Sequence, residues 1–133
     1  MKDLTDFAKE QLKNDKGFIN NNNYNILKVK EDYCELEGII TDTSLNPYGI
    51  AHGGFIFGLA DTASGIASRS GGRVAVTSSS SIEYLRPCNG KKIKAIASCL
   101  KSGKNISVYE VYIYDENEKM VARASVSYFY IEK

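Results

Sequence analysis

The chain has 133 residues, 43% of them apolar and 25% charged, the length and composition of one globular domain and not of a disordered or fibrous segment. Seventeen Lys and Arg against sixteen Asp and Glu leave a formal charge of +1, so no net field favours nucleic acid or a membrane as partner, and any anion site must be local. Three cysteines without a CxxC pair (Cys34, Cys88 and Cys99), and a start, MKDLTDFAKEQLK, without an uninterrupted apolar run, predict free thiols in a reducing cytoplasm.

Leu4, Phe7, Ala8 and Leu12 recur at helical spacing, with Asp3 or Thr5 placed to cap the start, which predicts a helix over 3–14. Gly17 and the Asn20 to Asn23 run read as a polar connector, so residues 1–22 form an N-terminal helix and loop. From Tyr24 to Thr41 the pattern is strand-like and broken at Glu31-Asp32, a hairpin. Turn chemistry at Asn46-Pro47-Tyr48-Gly49 leads into an apolar stretch whose length predicts a helix over Gly53–Arg69. Gly49 to Ala67 approaches membrane-span length, but Asp61 at mid-span would be expensive in lipid, so a buried helix of a soluble domain is the better reading. Gly54, Gly58 and Gly65 each cost that helix about 1 kcal/mol relative to Ala. With Ala60, Ala63, Ser64, Ala67 and Ser68 also small, the helix must be approached closely on nearly every side, as by a curved sheet. Strand-like stretches follow at 73–86, 91–102, 105–114 and 119–131, separated by turn residues. The expectation is a single α+β domain over 1–133, a long central helix wrapped by a curved antiparallel sheet whose edges can pair with a second copy.

The chemistry-bearing residues cluster around the long helix. Asp61 is its only carboxylate; a buried carboxylate is costly unless paired or used in chemistry, and burial would raise its pKa and basicity. Gly53 and Gly54 let backbone approach a ligand, and N–H groups at a helix start lack intrahelical partners, so they can donate to a carbonyl oxygen. A tight helix start with no ligand is the structural alternative. Asn46 has an amide able to orient a ligand or to build the turn before Pro47. His52, in apolar surroundings with no adjacent nucleophile, reads equally as a hydrogen-bonded structural imidazole. Strand alternation would put Thr77, Ser79 and Ser81 on one face of a hydroxyl-rich strand. Arg86, Lys91, Lys92, Lys94, Lys101 and Lys104 form a basic cluster that either meets phosphates or is a solvated face. A single His excludes HExxH sites, and there is no GxSxG elbow, P-loop or EF-hand pattern.

The run Asn46-Pro-Tyr-Gly49-Ile-Ala-His52-Gly53-Gly54, followed by Ala60-Asp61, resembles the Asn-x-x-Gly-x-x-His-Gly-Gly and Ala-Asp signature of hotdog-fold acyl-CoA thioesterases of the PaaI-like group. The resemblance extends from the hairpin before Asn46 to the last strand. It implies hydrolysis of acyl-CoA to free acid and CoA by a metal-free homodimer or homotetramer, with CoA as part of the substrate and no separate cofactor. In that scheme the Gly53 N–H polarises the acyl oxygen, an effect worth about 2.7–4 kcal/mol per donor. Asp61 is general base or nucleophile, Asn46 and Thr77 hold the reactants, and His52 and Gly54 line the site. Gly103, Lys104 and Asn105, with Arg86, are implied to contact CoA. From Gly53 to Asp61 is eight residues, or about 12 Å of helix rise, so one copy cannot place both on one acyl carbon and the site spans two subunits. Two other readings are a non-catalytic acyl-CoA sensor and a hydroxyacyl-thioester dehydratase. The retained Asp61 disfavours the first, and the lack of a second His disfavours the other. The acyl group is not specified; Tyr48, Phe55, Phe57 and Tyr84 serve equally as pocket or core.

Overall fold

Period-two alternation builds the sheet and a stripe of small residues builds the helix it wraps. The computed structural model describes residues 2–131; Met1, Glu132 and Lys133 of the expected 1–133 domain lie outside the described residues. In chain order the elements are α1 (Thr5–Leu12), α2 (Phe18–Asn21), β1 (Tyr24–Lys30), β2 (Tyr33–Ile39), α3 (Gly53–Arg69), β3 (Val74–Tyr84), β4 (Lys92–Ser102), β5 (Ile106–Asp115) and β6 (Met120–Ile131). The strands form one antiparallel sheet in the order β1-β2-β4-β5-β6-β3, which leaves β1 and β3 as its edges. This is the α+β, helix-in-sheet arrangement of the hotdog fold.

Tyr109, Val111 and Ile113 of β5 and Ala122, Ala124, Val126 and Tyr128 of β6 alternate inward and are buried against Leu59, Ala60, Ala63 and Ala67 of α3. The glycines permit this approach. At Gly58 a Cβ would stand 2.5 Å from the Tyr24 hydroxyl, and at Gly38 of β2 it would stand 3.1 Å from Phe55. No helix among the described residues is long and apolar enough to cross a membrane.

Three local expectations need correction. The first helix starts at Thr5, not residue 3, with Leu4 at the N-cap; Asp3 serves it from outside, its Oδ1 accepting from the Thr5 N–H at 2.8 Å. Phe7 is 64% exposed, because only the Leu4–Ala8–Leu12 side of this short helix rests on the body. The polar connector contains a helical turn, α2, which Asn20 ties down by donating from Nδ2 to Leu12 O at 2.9 Å. Finally, the regular alternation expected for Thr77, Ser79 and Ser81 is broken by a bulge between Thr77 and Ser79. Thr77 pairs with inward-facing Tyr128 while Ser79 pairs with Ser127 of the opposite face, so the extra residue, Ser78, switches the strand's sides.

Candidate active site

The first half of the site is built by the start of α3. His52 stands at the N-cap in extended conformation, φ −65° and ψ 140°, and its Nδ1 accepts from the Gly54 N–H at 2.7 Å. His52 O takes the N–H groups of Phe55 (3.0 Å) and Ile56 (3.2 Å). Of the two glycine amides expected to face a ligand, Gly54's is therefore spent on the cap. Gly53's has no acceptor among the described residues. A Cβ at Gly54 would lie 3.0 Å from His52 Nδ1, and one at Gly53 would lie 3.3 Å from the Tyr84 ring, whose hydroxyl donates to Gly53 O at 2.9 Å. Asn46 Oδ1 accepts from the N–H groups of Tyr48 (2.9 Å) and Ile50 (3.3 Å), so the carbonyl end builds the turn. Its Nδ2 has no partner among the described residues. Gly53, Tyr84 and Arg86 share the wall of a cavity of about 300 Å³.

The second half lies two turns further along α3. Asp61 is half-buried, less enclosed than the apolar helix suggested, because edge strand β3 leaves one side open. Its Oδ1 accepts from Thr77 Oγ1 at 2.8 Å; the Tyr128 hydroxyl shares its one proton between Asp61 O at 2.6 Å and Oδ1 at 2.9 Å, while Oδ2 has no hydrogen-bond partner among the described residues. Burial, reinforced by the Asp61 charge, pushes the Tyr128 phenol well above its ordinary pKa; it stays protonated and serves as a fixed donor. Ser64 Oγ stands 2.7 Å from the same hydroxyl. Sequence reading missed Tyr128, which looks like any core aromatic in an alternating strand. Its register opposite Thr77 is what singles it out. Asp61 and Thr77 line a cavity of about 340 Å³ separate from the one at Gly53, so a single chain does not bring the Gly53 amide and the Asp61 carboxylate together.

The basic cluster is likewise split. Arg86 belongs to the Gly53 cavity, whereas Lys104 and Asn105 line another of about 600 Å³ beside Arg73 and Tyr130, at the opposite end of β3. The Arg73 guanidinium lies 3.3 Å from the Tyr130 ring centroid and donates to Gly103 O at 3.1 Å and to Lys104 O. The Gly103 N–H donates to Ile106 O at 3.0 Å, and a Cβ there would stand 2.5 Å from that oxygen; the glycine closes the hairpin and has no amide left for a phosphate. Lys92 instead pairs with Glu37 at 3.7 Å. Cys34, Cys88 and Cys99 are free thiols. Among the described residues no three His, Cys, Asp or Glu side chains gather into a metal-binding group.

Comparison with known proteins adds relatives to this geometry. Residues 48–122 match the family model of the thioesterase superfamily. The acyl-coenzyme A thioesterase PaaI of Escherichia coli is 36% identical over 98 residues, 73% of this chain and 70% of the relative. Its solved structure superposes with a TM-score of 0.88 at 30% identity, covering 94% of this chain and 91% of that one. A putative esterase of Archaeoglobus fulgidus is 34% identical over 100 residues, 74% of this chain but only 65% of the relative's length. A Streptococcus mutans protein solved bound to acetyl CoA has a TM-score of 0.80 at 33% identity, covering 84% and 90% of the two chains.

Proposed function

The chain belongs to the thioesterase superfamily, and we propose that it hydrolyses acyl-CoA thioesters to free acid and coenzyme A in a site shared by two copies. The observation that carries this reading is the asymmetry of the Asp61 carboxylate: the Thr77 hydroxyl, with the Tyr128 hydroxyl shared between Oδ1 and the Asp61 carbonyl, holds Oδ1, and Oδ2 is left to act. Thr77 spends its only hydroxyl proton on Asp61, so its oxygen can accept from a water. Such a water gives one proton toward Asp61 Oδ2 and the other toward Thr77 Oγ1, which aims its lone pair at the acyl carbon. As the new C–O bond forms, Asp61 takes the water's proton and negative charge grows on the acyl oxygen. The N–H of Gly53 of the partner subunit meets that charge. Collapse restores the carbonyl, breaks the C–S bond and releases CoA as thiolate, which recovers the proton. The Asn46 Nδ2 group is a donor available to hold the acyl oxygen or the thioester. A carboxylate attack through Oδ2, which breaks the C–S bond, expels CoA thiolate and forms an acyl-enzyme anhydride that water then cleaves to free acid and Asp61, uses the same free oxygen.

The free β3 edge supports a two-copy site. Antiparallel pairing along β3 with a second copy sets the Tyr84 end of one strand beside the Val74 end of the other. Arg86 of one protomer then approaches the Lys104 and Asn105 side of its partner, reuniting the basic residues for the CoA phosphates. The relative bound to acetyl CoA supports a CoA thioester as ligand.

Thiol release from acetyl-, hexanoyl-, adipoyl- and benzoyl-CoA tests the reading. The parent protein is expected to free CoA from at least one, and Asp61→Asn to lower kcat about 10²- to 10⁴-fold with an unchanged circular dichroism spectrum. A sensor frees no thiol and a dehydratase changes absorbance without freeing it. Either outcome, or a variant within twofold of the parent, rejects the assignment.

A further inference from the structure

Beyond the reacting carboxylate, the Asp61 cavity continues along one face of α3, past Gly65, to Arg69. The spacing 61, 65, 69 repeats every four residues, so the three stand in line on the helix. Gly65 gives this trough a floor without a side chain. The Arg69 side chain folds back over it: a Cβ at Gly65 would lie 3.1 Å from Arg69 Nη1 and 3.5 Å from the Tyr128 hydroxyl. The guanidinium thus ends the trough about one helical turn, roughly 6 Å, from the level of Asp61. The trough's lining mixes the apolar side chains of Phe18 and Ile19 of α2 and Ala75 and Val76 of β3 with the hydroxyl-bearing Thr62 and Thr77. One edge of the Phe18 ring rests on the helix at Gly58, its Cζ 2.9 Å from where a Gly58 Cβ would be.

Arg69 makes no ion pair with any carboxylate among the described residues. It also lines a second cavity, of about 360 Å³, on the far side between α1 and α3, so the same side chain separates the two spaces. The side chain is exposed, and both terminal nitrogens of its planar fork lie over Gly65, 3.1 and 3.7 Å from where a Cβ would be.

From this arrangement we infer that Arg69 is a specificity-determining residue, and that the preferred acyl groups are short chains ending in a carboxylate, carried as dicarboxylic monothioesters of CoA. The inference rests on the thioesterase reading above. It adds the identity of the acyl group. A thioester carbonyl at Asp61 leaves the rest of the chain to run between Phe18 and Val76, and a terminal carboxylate then meets the guanidinium in the bidentate geometry that arginine favours. A terminal methyl would instead strip water from the cation and give nothing back.

Adipoyl-CoA and hexanoyl-CoA have the same number of acyl carbons and differ in the distal carboxylate, so their kcat/KM ratio isolates the contact. The parent is expected to favour adipoyl-CoA at least tenfold. Arg69→Ala should reduce that ratio at least tenfold, through a raised KM for adipoyl-CoA with kcat nearly kept, and Arg69→Lys should retain part of the preference. Because Arg69 is exposed, both variants are expected to keep the parent's thermal midpoint. A ratio that stays within twofold of the parent's in Arg69→Ala, or a parent that favours hexanoyl-CoA, overturns the inference and leaves the thioesterase reading standing. Absence of thiol release from every acyl-CoA overturns both.

Discussion

Thr77 shows how much one hydroxyl can decide. Its proton goes to Asp61 Oδ1 at 2.8 Å, which turns the carboxylate so that the other oxygen is free and makes the hydroxyl oxygen an acceptor for water. Thr77→Ser retains that oxygen and should keep kcat within a few fold. Thr77→Ala removes the one unshared donor to Oδ1 among the described residues and should lower kcat about tenfold to a hundredfold, the worth of one hydrogen bond to a charged group; steady-state thiol release reads the difference. Asp61, Asn46, His52 and Thr77 were all legible as candidates because polar residues in an apolar helix, a Gly-Gly turn or a strand stand out. What each does was not. His52 consumes the Gly54 amide and Asn46 Oδ1 consumes two turn amides, and such assignments depend on rotamers that no spacing rule supplies. Tyr128 stayed hidden because an inward tyrosine in an alternating strand is ordinary core until its partner across the sheet is known.

Among the elements, α3 has a composition that contradicts isolated propensity and is explained by packing. At Gly58, exchange for Ala gains about 1 kcal/mol of helix propensity. The added Cβ, however, would fall 2.5 Å from the Tyr24 hydroxyl and 2.9 Å from Phe18 Cζ. Tyr24 cannot retreat cheaply, since it is buried and donates to Phe55 O at 2.6 Å. Gly58→Ala should therefore destabilise the protein by about 1–3 kcal/mol, the usual cost of overpacking, measured as a lower urea midpoint at unchanged slope. β3 shows the opposite case. Its composition gave a strand correctly, but the bulge after Thr77 adds one residue and reverses the faces, and period-two reading has no means of anticipating an insertion that the neighbouring strand imposes.

For the whole molecule the decisive feature is the distance between the two halves of the site. Gly53→Pro removes the amide hydrogen at the first helical position, where proline is tolerated, and His52 already has the extended backbone that a following proline requires. Alone, this variant and Asp61→Asn should each be nearly inactive. After unfolding and refolding of an equal mixture, about a quarter of the parental turnover should return, because half of the re-formed dimers are mixed and each carries one intact site of two. A site confined to one chain gives no recovery.

The sequence by itself determined the order of the long helices and the strands, the small-residue helix and the polar positions at its start and middle, since these follow from periodicity, turn chemistry and the cost of a lone carboxylate among apolar neighbours; the short α2 was not among them. Tertiary structure alone decided that β3 is an edge, that Thr77 and Tyr128 converge on one oxygen of Asp61, that Gly54 is spent while Gly53 is open, and that Arg69 folds back along the helix. Each of these depends on register and side-chain direction between segments far apart in the chain, where local propensity has no influence and mutual packing selects the outcome.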